Sequence, residues 1–126
     1  MLVSGLAMLM LAPDPSVLVA PRKAFEECLA DVEASHKKDD TPPRGYASAV
    51  DMACKGQEAM LVKALVDFDV ANGTKRAEAK DYATMDIEDY RDRAKMRYED
   101  YWELDRKKGS PSEPPQQVAA ATPDSD

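Results

Sequence analysis

Cys28 and Cys54 are the residues whose chemistry decides most about this chain of 126 residues, and they are its only thiols. They fall on two apolar stripes at helical spacing, joined by the polar turn Lys37 to Pro43. From Cys28 to that turn is about 12 residues, or roughly 18 Å of helix; from Arg44 up to Cys54 is about 10 residues, or roughly 15 Å. Two thiols at nearly one height on packed antiparallel helices are placed for a disulfide, a bond that persists in oxidising compartments. A redox centre wants its thiols close together, as Cys-x-x-Cys at a helix N-terminus. These lie 26 positions apart. A structural bridge is therefore favoured over two buried free thiols and over catalysis. Closing a loop of this length contributes about 3.5 kcal/mol in the chain-entropy model.

Other constellations carry less. Glu33-x-x-His36 has the carboxylate–histidine spacing of di-iron bundles. Such sites need two of these motifs, and His36 is the only histidine in the chain. A helix-terminal imidazole set against the dipole is the reading preferred. Asp67-x-Asp69 with Glu78 hints at a calcium loop, but positions five and six are Ala71 and Asn72 where an oxygen ligand and Gly belong. A helix–cap–helix junction is expected there instead. No Ser-His-Asp set, phosphate-cradling glycine loop or zinc spacing is present, so neither enzyme chemistry, a metal nor a cofactor is expected. Tyr82, Tyr90, Tyr98, Tyr101 and Trp102 concentrate five of the eight aromatics in one late segment. Tyr98, Tyr101, Trp102 and the nearby Met96 are the candidate contact residues, with Trp102 and Met96 off the main apolar stripe. The competing reading puts Tyr90, Tyr98 and Tyr101 in the core with hydroxyls reaching solvent.

The elements that must position these residues are helices. Isoleucine occurs once and β-branched runs are absent, which leaves little to build a sheet. Asp14-Pro15 is a helix-start signal. Leu18, Phe25, Cys28, Leu29, Val32 and His36 then recur at three- and four-residue spacing. Pro21 predicts either a kink or a start at that residue. Thr41-Pro42-Pro43 restarts the chain, and a second helix is expected from about Arg44 to Ala71, with Gly56 inside it at a cost of about 1 kcal/mol. Asn72-Gly73 predicts a left-handed C-terminal cap, and Thr74 a cap for the next helix. The third helix, Lys75 to about Lys107, would be roughly 50 Å long. Ala83, Ile87, Tyr90, Ala94, Tyr98 and Tyr101 form its stripe. Its charges, among them Asp89-Arg93, Lys95-Glu99 and Glu103-Lys107, read as solvated i,i+4 pairs. The fold class expected is all-α, either an antiparallel three-helix bundle or a helical hairpin with a long third helix.

Both ends differ from this middle. Residues 1–12, MLVSGLAMLMLA, are uncharged and apolar. They are too short for a span, which needs about 20 residues, and match a signal-peptide core ending near Ala12. The match is partial, because no Lys or Arg precedes the stretch; a start codon further upstream is one explanation. A helical strip packed on the bundle and an uncleaved anchor are the alternatives. Residues 109–126 are rich in Pro, Ser and Ala and read as a disordered tail. The domain proper spans 14–108. The formal charge is −7, which argues against nucleic acid, since phosphate binding needs a basic patch.

The leader, Phe25-x-x-Cys28-Leu29, Cys54, the segment Ala64-Leu65-Val66-Asp67-Phe68-Asp69 and Gly73-Thr74-Lys75-Arg76-Ala77 together resemble small uncharacterised exported helical proteins of Gram-negative bacteria. The resemblance implies export and an all-helical fold, and carries no substrate or catalytic residue with it. The expectation is a non-enzymatic periplasmic or secreted protein acting through protein or envelope contacts. The alternative is weak cation binding or stress buffering by the carboxylates around Asp67-Asp69 and Asp86-Glu88-Asp89. A monomer and a dimer through Met85 and Met96 both fit the pattern.

Overall fold

A computed structural model describes residues 13–109, so both the leader and the tail beyond Gly109 lie outside the described residues. A short 3-10 turn, Pro15–Leu18, leads into α1 (Val19–Lys38), followed by α2 (Pro43–Met52), α3 (Lys55–Ala71) and α4 (Arg76–Gly109). The described residues are helical with no strand among them.

Asp14 caps the entry as its type dictates. Its side chain accepts from the Ser16 amide at 2.9 Å, Pro15 takes the first helical position, and that bond holds the Asp14 carboxyl below its ordinary range. Pro21 produces no break in α1. It sits in the first turn, where a backbone amide has no partner inside the helix.

The exit of α1 and that of α3 share one geometry. The Thr41 amide reaches back to the His36 carbonyl at 3.0 Å and the Asp40 amide to Lys37, with Asp40 at φ 51. Thr74 reaches back to Asp69 at 2.9 Å and Gly73 to Val70, with Gly73 at φ 98. Both are Schellman caps, which need one left-handed residue. At the second exit, α4 starts at Arg76, and the Ala79 amide donates to Lys75 rather than to Thr74. The cap position expected at Thr74 is therefore Lys75.

The segment expected as one helix from Arg44 to Ala71 is two. Ala53 is extended (ψ 158) and Cys54 is left-handed (φ 62), so the backbone ladder stops at Met52 and restarts at Lys55. Gly56 consequently lies in the first turn of α3, where its missing side chain costs less than it would mid-helix. The antiparallel arrangement survives the break. α2 and α3 both pack along α4, and α1 packs on α3.

At 34 residues α4 runs about 51 Å and is the spine of the fold. Ala79, Ala83, Ile87, Arg91, Ala94 and Tyr98 make its buried stripe, at spacings of three and four. Against it sit Leu61, Leu65 and Val66 of α3, Tyr46 and Val50 of α2, and Phe25 and Leu29 of α1. Alanines at three of the α4 positions let the neighbouring helices approach closely. A side chain buried as fully as Phe25 contributes about 2–3 kcal/mol.

Candidate functional site

The break between α2 and α3 is where the chain's chemically capable side chains meet. Cys54 is bonded to Cys28 of α1, with Cα atoms 6.0 Å apart. The expected bridge is present, but one of its arms is the left-handed junction residue rather than a point inside a helix.

Arg91, on the buried stripe of α4 and only 7% exposed, fills the junction from the other side. Its Nε donates to the Val50 carbonyl at 3.1 Å, and Nη2 to the Ala53 carbonyl at 3.2 Å and to Glu58 Oε2 at 2.6 Å. In an unbroken helix those two carbonyls would accept from amides one turn on. The guanidinium takes the place of those amides, beside a long 3.4 Å bond that Val50 keeps from the Ala53 amide, and its planar fork suits the task better than an ammonium. Phe25 covers the group, with the guanidinium carbon 5.5 Å from the ring centroid. The hydrogen bond from Arg91, more than the added charge of Arg91 and Lys55, holds the Glu58 carboxyl below the ordinary carboxylate range.

A second cluster sits at the α1–α2 turn. The rings of Tyr46 and Tyr98 stack with centroids 4.0 Å apart and planes at 18°. His36 meets Tyr46 edge-on at 5.6 Å, and its Nδ1 lies 2.9 Å from Thr41 Oγ1. The Tyr98 hydroxyl donates to the carbonyls of Thr41 and His36, the latter at 3.2 Å. The Tyr46 hydroxyl, equally buried, has no hydrogen-bond partner among the described residues. Burial pushes its pKa up to about 12.

Of the four candidate contact residues, Tyr98 is fully buried and presents no surface. Its hydroxyl does not reach solvent as the core reading expected; it ties down the turn instead. Tyr101 is half-buried, with Lys37 Nζ 4.4 Å above its ring. Trp102 packs partly against the core, and the Arg106 guanidinium stacks on it at 3.8 Å. Met96 stands in solvent. Met96 and Trp102 are six residues apart, which turns them about 120° from each other around the helix. They do not share a face.

The carboxylates considered for cation binding are mostly engaged. Asp67 pairs with Lys63, Asp86 with Arg22 at 3.3 Å, and Asp89 with Arg93 at 3.4 Å. Glu33 binds Lys37 at 2.8 Å and Arg97 at 3.7 Å, rather than forming half of a metal motif with His36. Among the described residues no group of three or more His, Cys, Asp or Glu side chains is placed to hold a metal ion. No helix among them is long and apolar enough to cross a membrane.

Sequence reasoning missed Arg91 as a site residue. The signal was its place four residues after Ile87 and three before Ala94, on the core stripe itself. Comparison of the chain with protein-family models, with curated proteins and with solved structures returns no match.

Proposed function

We propose that this protein is a non-enzymatic, exported helical module that works by contact with another protein or with the cell envelope. One observation carries the reading. The groups able to do chemistry are occupied in building the fold, while large apolar side chains stand in solvent along α4. The thiols are bonded to each other, His36 is bound to Thr41 under Tyr46, and Arg91 fills the α2–α3 junction. Tyr82, Met85, Met96 and Leu104 of α4 are each about half or more exposed. Exposed aromatic and methionine side chains are favoured anchors at interfaces.

Export is supported by the bridge, because disulfides are retained outside the reducing cytosol. In this reading the apolar leader is removed near Ala12 and the mature protein resides in the periplasm or is secreted. Intact mass of the protein recovered from its native host, with and without alkylation, tests this directly. The expected result is a mature form starting near Pro13 that takes up no alkylating agent until reduced; a full-length chain carrying two alkyl groups removes the export reading.

For the contact role, a photoreactive residue replaces Met96 in one strain and Leu104 in another. A discrete crosslinked species absent from a Lys63 control supports it. The same pattern at all three positions, or none, overturns it.

A further inference from the structure

A groove at the end of the molecule opposite the tyrosine stack has the lining of a docking site. Its floor is Leu18 of the 3-10 turn, Leu65 and Phe68 of α3, and Ala83 of α4. It continues over Tyr82 into a second recess walled by Met85. The two recesses, of about 200 and 320 Å³, share Tyr82 and Asp86 and so form one channel along α4. Tyr82 and Met85 are 48% and 62% exposed, two large side chains side by side on one helix turn.

The charge along this channel is one-sided. Its lining holds the carboxylates of Asp69, Asp86 and Asp89, of which Asp86 is met by Arg22 and Asp89 by Arg93 of the same helix. Asp69 is half-buried and has no ion-pair partner among the described residues. Glu78 adds a further carboxylate at the rim, accepting from the Tyr82 hydroxyl at 2.6 Å. Burying part of a carboxylate against apolar walls is costly unless a cation meets it.

We propose that this channel docks a cationic amphipathic helix of a partner protein, its apolar side chains on Phe68, Tyr82 and Met85 and its Lys or Arg side chains on Asp69 and Glu78. The proposal rests on the contact reading above and gives the partner its chemistry. A bare metal ion is the poorer fit, since among the described residues no three ligating groups converge. Cations spread along a helix, with apolar anchors at three- and four-residue spacing between them, match the spread of the carboxylates. A second copy of this chain carries −7 itself and meets like charge here.

The test uses the oxidised full-length chain and a designed Leu/Lys amphipathic peptide of about 14 residues, three to four helical turns, with a Leu/Glu peptide of the same pattern as control. The readout is the methyl resonances of Met85 and Met96, both exposed on α4 but only the first in the groove. The Leu/Lys peptide is expected to shift Met85 saturably and leave Met96 in place, with Asp69→Asn weakening binding about fivefold. Glu78→Gln, at an exposed position, repeats the measurement without touching the half-buried carboxylate. An unmoved Met85, equal binding of the Leu/Glu peptide, equal response of Met96, or affinity unchanged in both variants overturns the proposal. Movement of Met85 with protein concentration alone assigns the groove to a second copy and likewise overturns it. A null result here, with specific crosslinks at Met96 or Leu104, sinks the groove and leaves the contact reading standing.

Discussion

Arg91 and Glu58 meet at 2.6 Å across the α3–α4 interface, one 8% and the other 23% exposed at the side chain. The contact is asymmetric in what it supports. Glu58 retains some access to water, whereas Arg91 also serves two backbone carbonyls, of which Val50 has a second donor in the Ala53 amide at 3.4 Å. Arg91→Met is therefore expected to cost about 2–4 kcal/mol, because it leaves the Ala53 carbonyl without its donor, Val50 with only the long bond from the Ala53 amide, and Glu58 without its buried partner. Glu58→Gln, which keeps a hydrogen-bond acceptor, is expected to cost about 1 kcal/mol. Urea unfolding of the two variants checks both the size and the order.

Acid should act through the same pair. The folded-state pKa of Glu58 lies below its ordinary value of 4.5, chiefly through the Arg91 hydrogen bond. A depressed carboxylate contributes stability that is complete above its unfolded value and is lost as pH falls through the folded one. The unfolding midpoint of the wild type is expected to drop as pH is lowered below 4.5, and Glu58→Gln to flatten that drop. Equal acid slopes for the two proteins would show that the pair does not govern acid stability.

Two tyrosines stacked on each other should respond in opposite directions to the same change. Tyr98→Phe removes a hydroxyl that ties down the α1–α2 turn, and is expected to cost about 1–2 kcal/mol. Tyr46→Phe removes a buried hydroxyl with no partner among the described residues, and is expected to gain about 1 kcal/mol. Thermal or urea unfolding of the pair decides the matter by sign alone.

Base supplies an independent view of Tyr46. Burial raises its pKa from 10.0 to about 12. For an acid raised on folding, the neutral form is favoured in the native state, so the contribution is complete below 10.0 and is lost as pH climbs toward about 12. Wild type is expected to lose stability over that window more steeply than Tyr46→Phe, measured as urea midpoints against pH.

Removing the bridge by Cys28→Ser with Cys54→Ser should cost about 3.5 kcal/mol, the closure entropy of the loop. Comparing the double variant with wild type under oxidising and reducing conditions checks it: the gap should vanish on reduction.

How far these features were readable in the residues depends on the force that sets each one. The α4 stripe of Ala83, Ile87, Ala94 and Tyr98 was legible because three- and four-residue spacing is a local, periodic signal. The cap at Asp14 and the exit at Gly73 were legible because residue type alone favours those backbone states. The break at Ala53–Cys54 was not. Neither residue is a helix breaker, and the stop is imposed from outside by the bond to Cys28 and the guanidinium of Arg91. Arg91 itself was hidden by its chemistry. A charged residue reads as solvent-facing, and only its spacing from Ile87 and Ala94 placed it inside. Tyr98 was read both as a contact residue and as a core position, and its partner, a turn 57 positions earlier in the chain, is visible only once the helices are packed. Asp40 in a left-handed cap, where Gly is the usual choice, is likewise a tertiary outcome.

The Cys28–Cys54 bond also sets the covalent topology of the chain. It closes a ring containing the second half of α1, the turn and all of α2, and leaves α3 and α4 on a single strand outside that ring. A protease that cuts at the exposed Asp39–Asp40 turn therefore leaves one covalent molecule, whose two pieces separate only under a reductant. A cut at the equally exposed Asn72–Gly73 turn gives two molecules at once, held together by packing alone. The two turns look alike in exposure and cap geometry, yet in an environment rich in proteases only the first is a harmless place to be nicked.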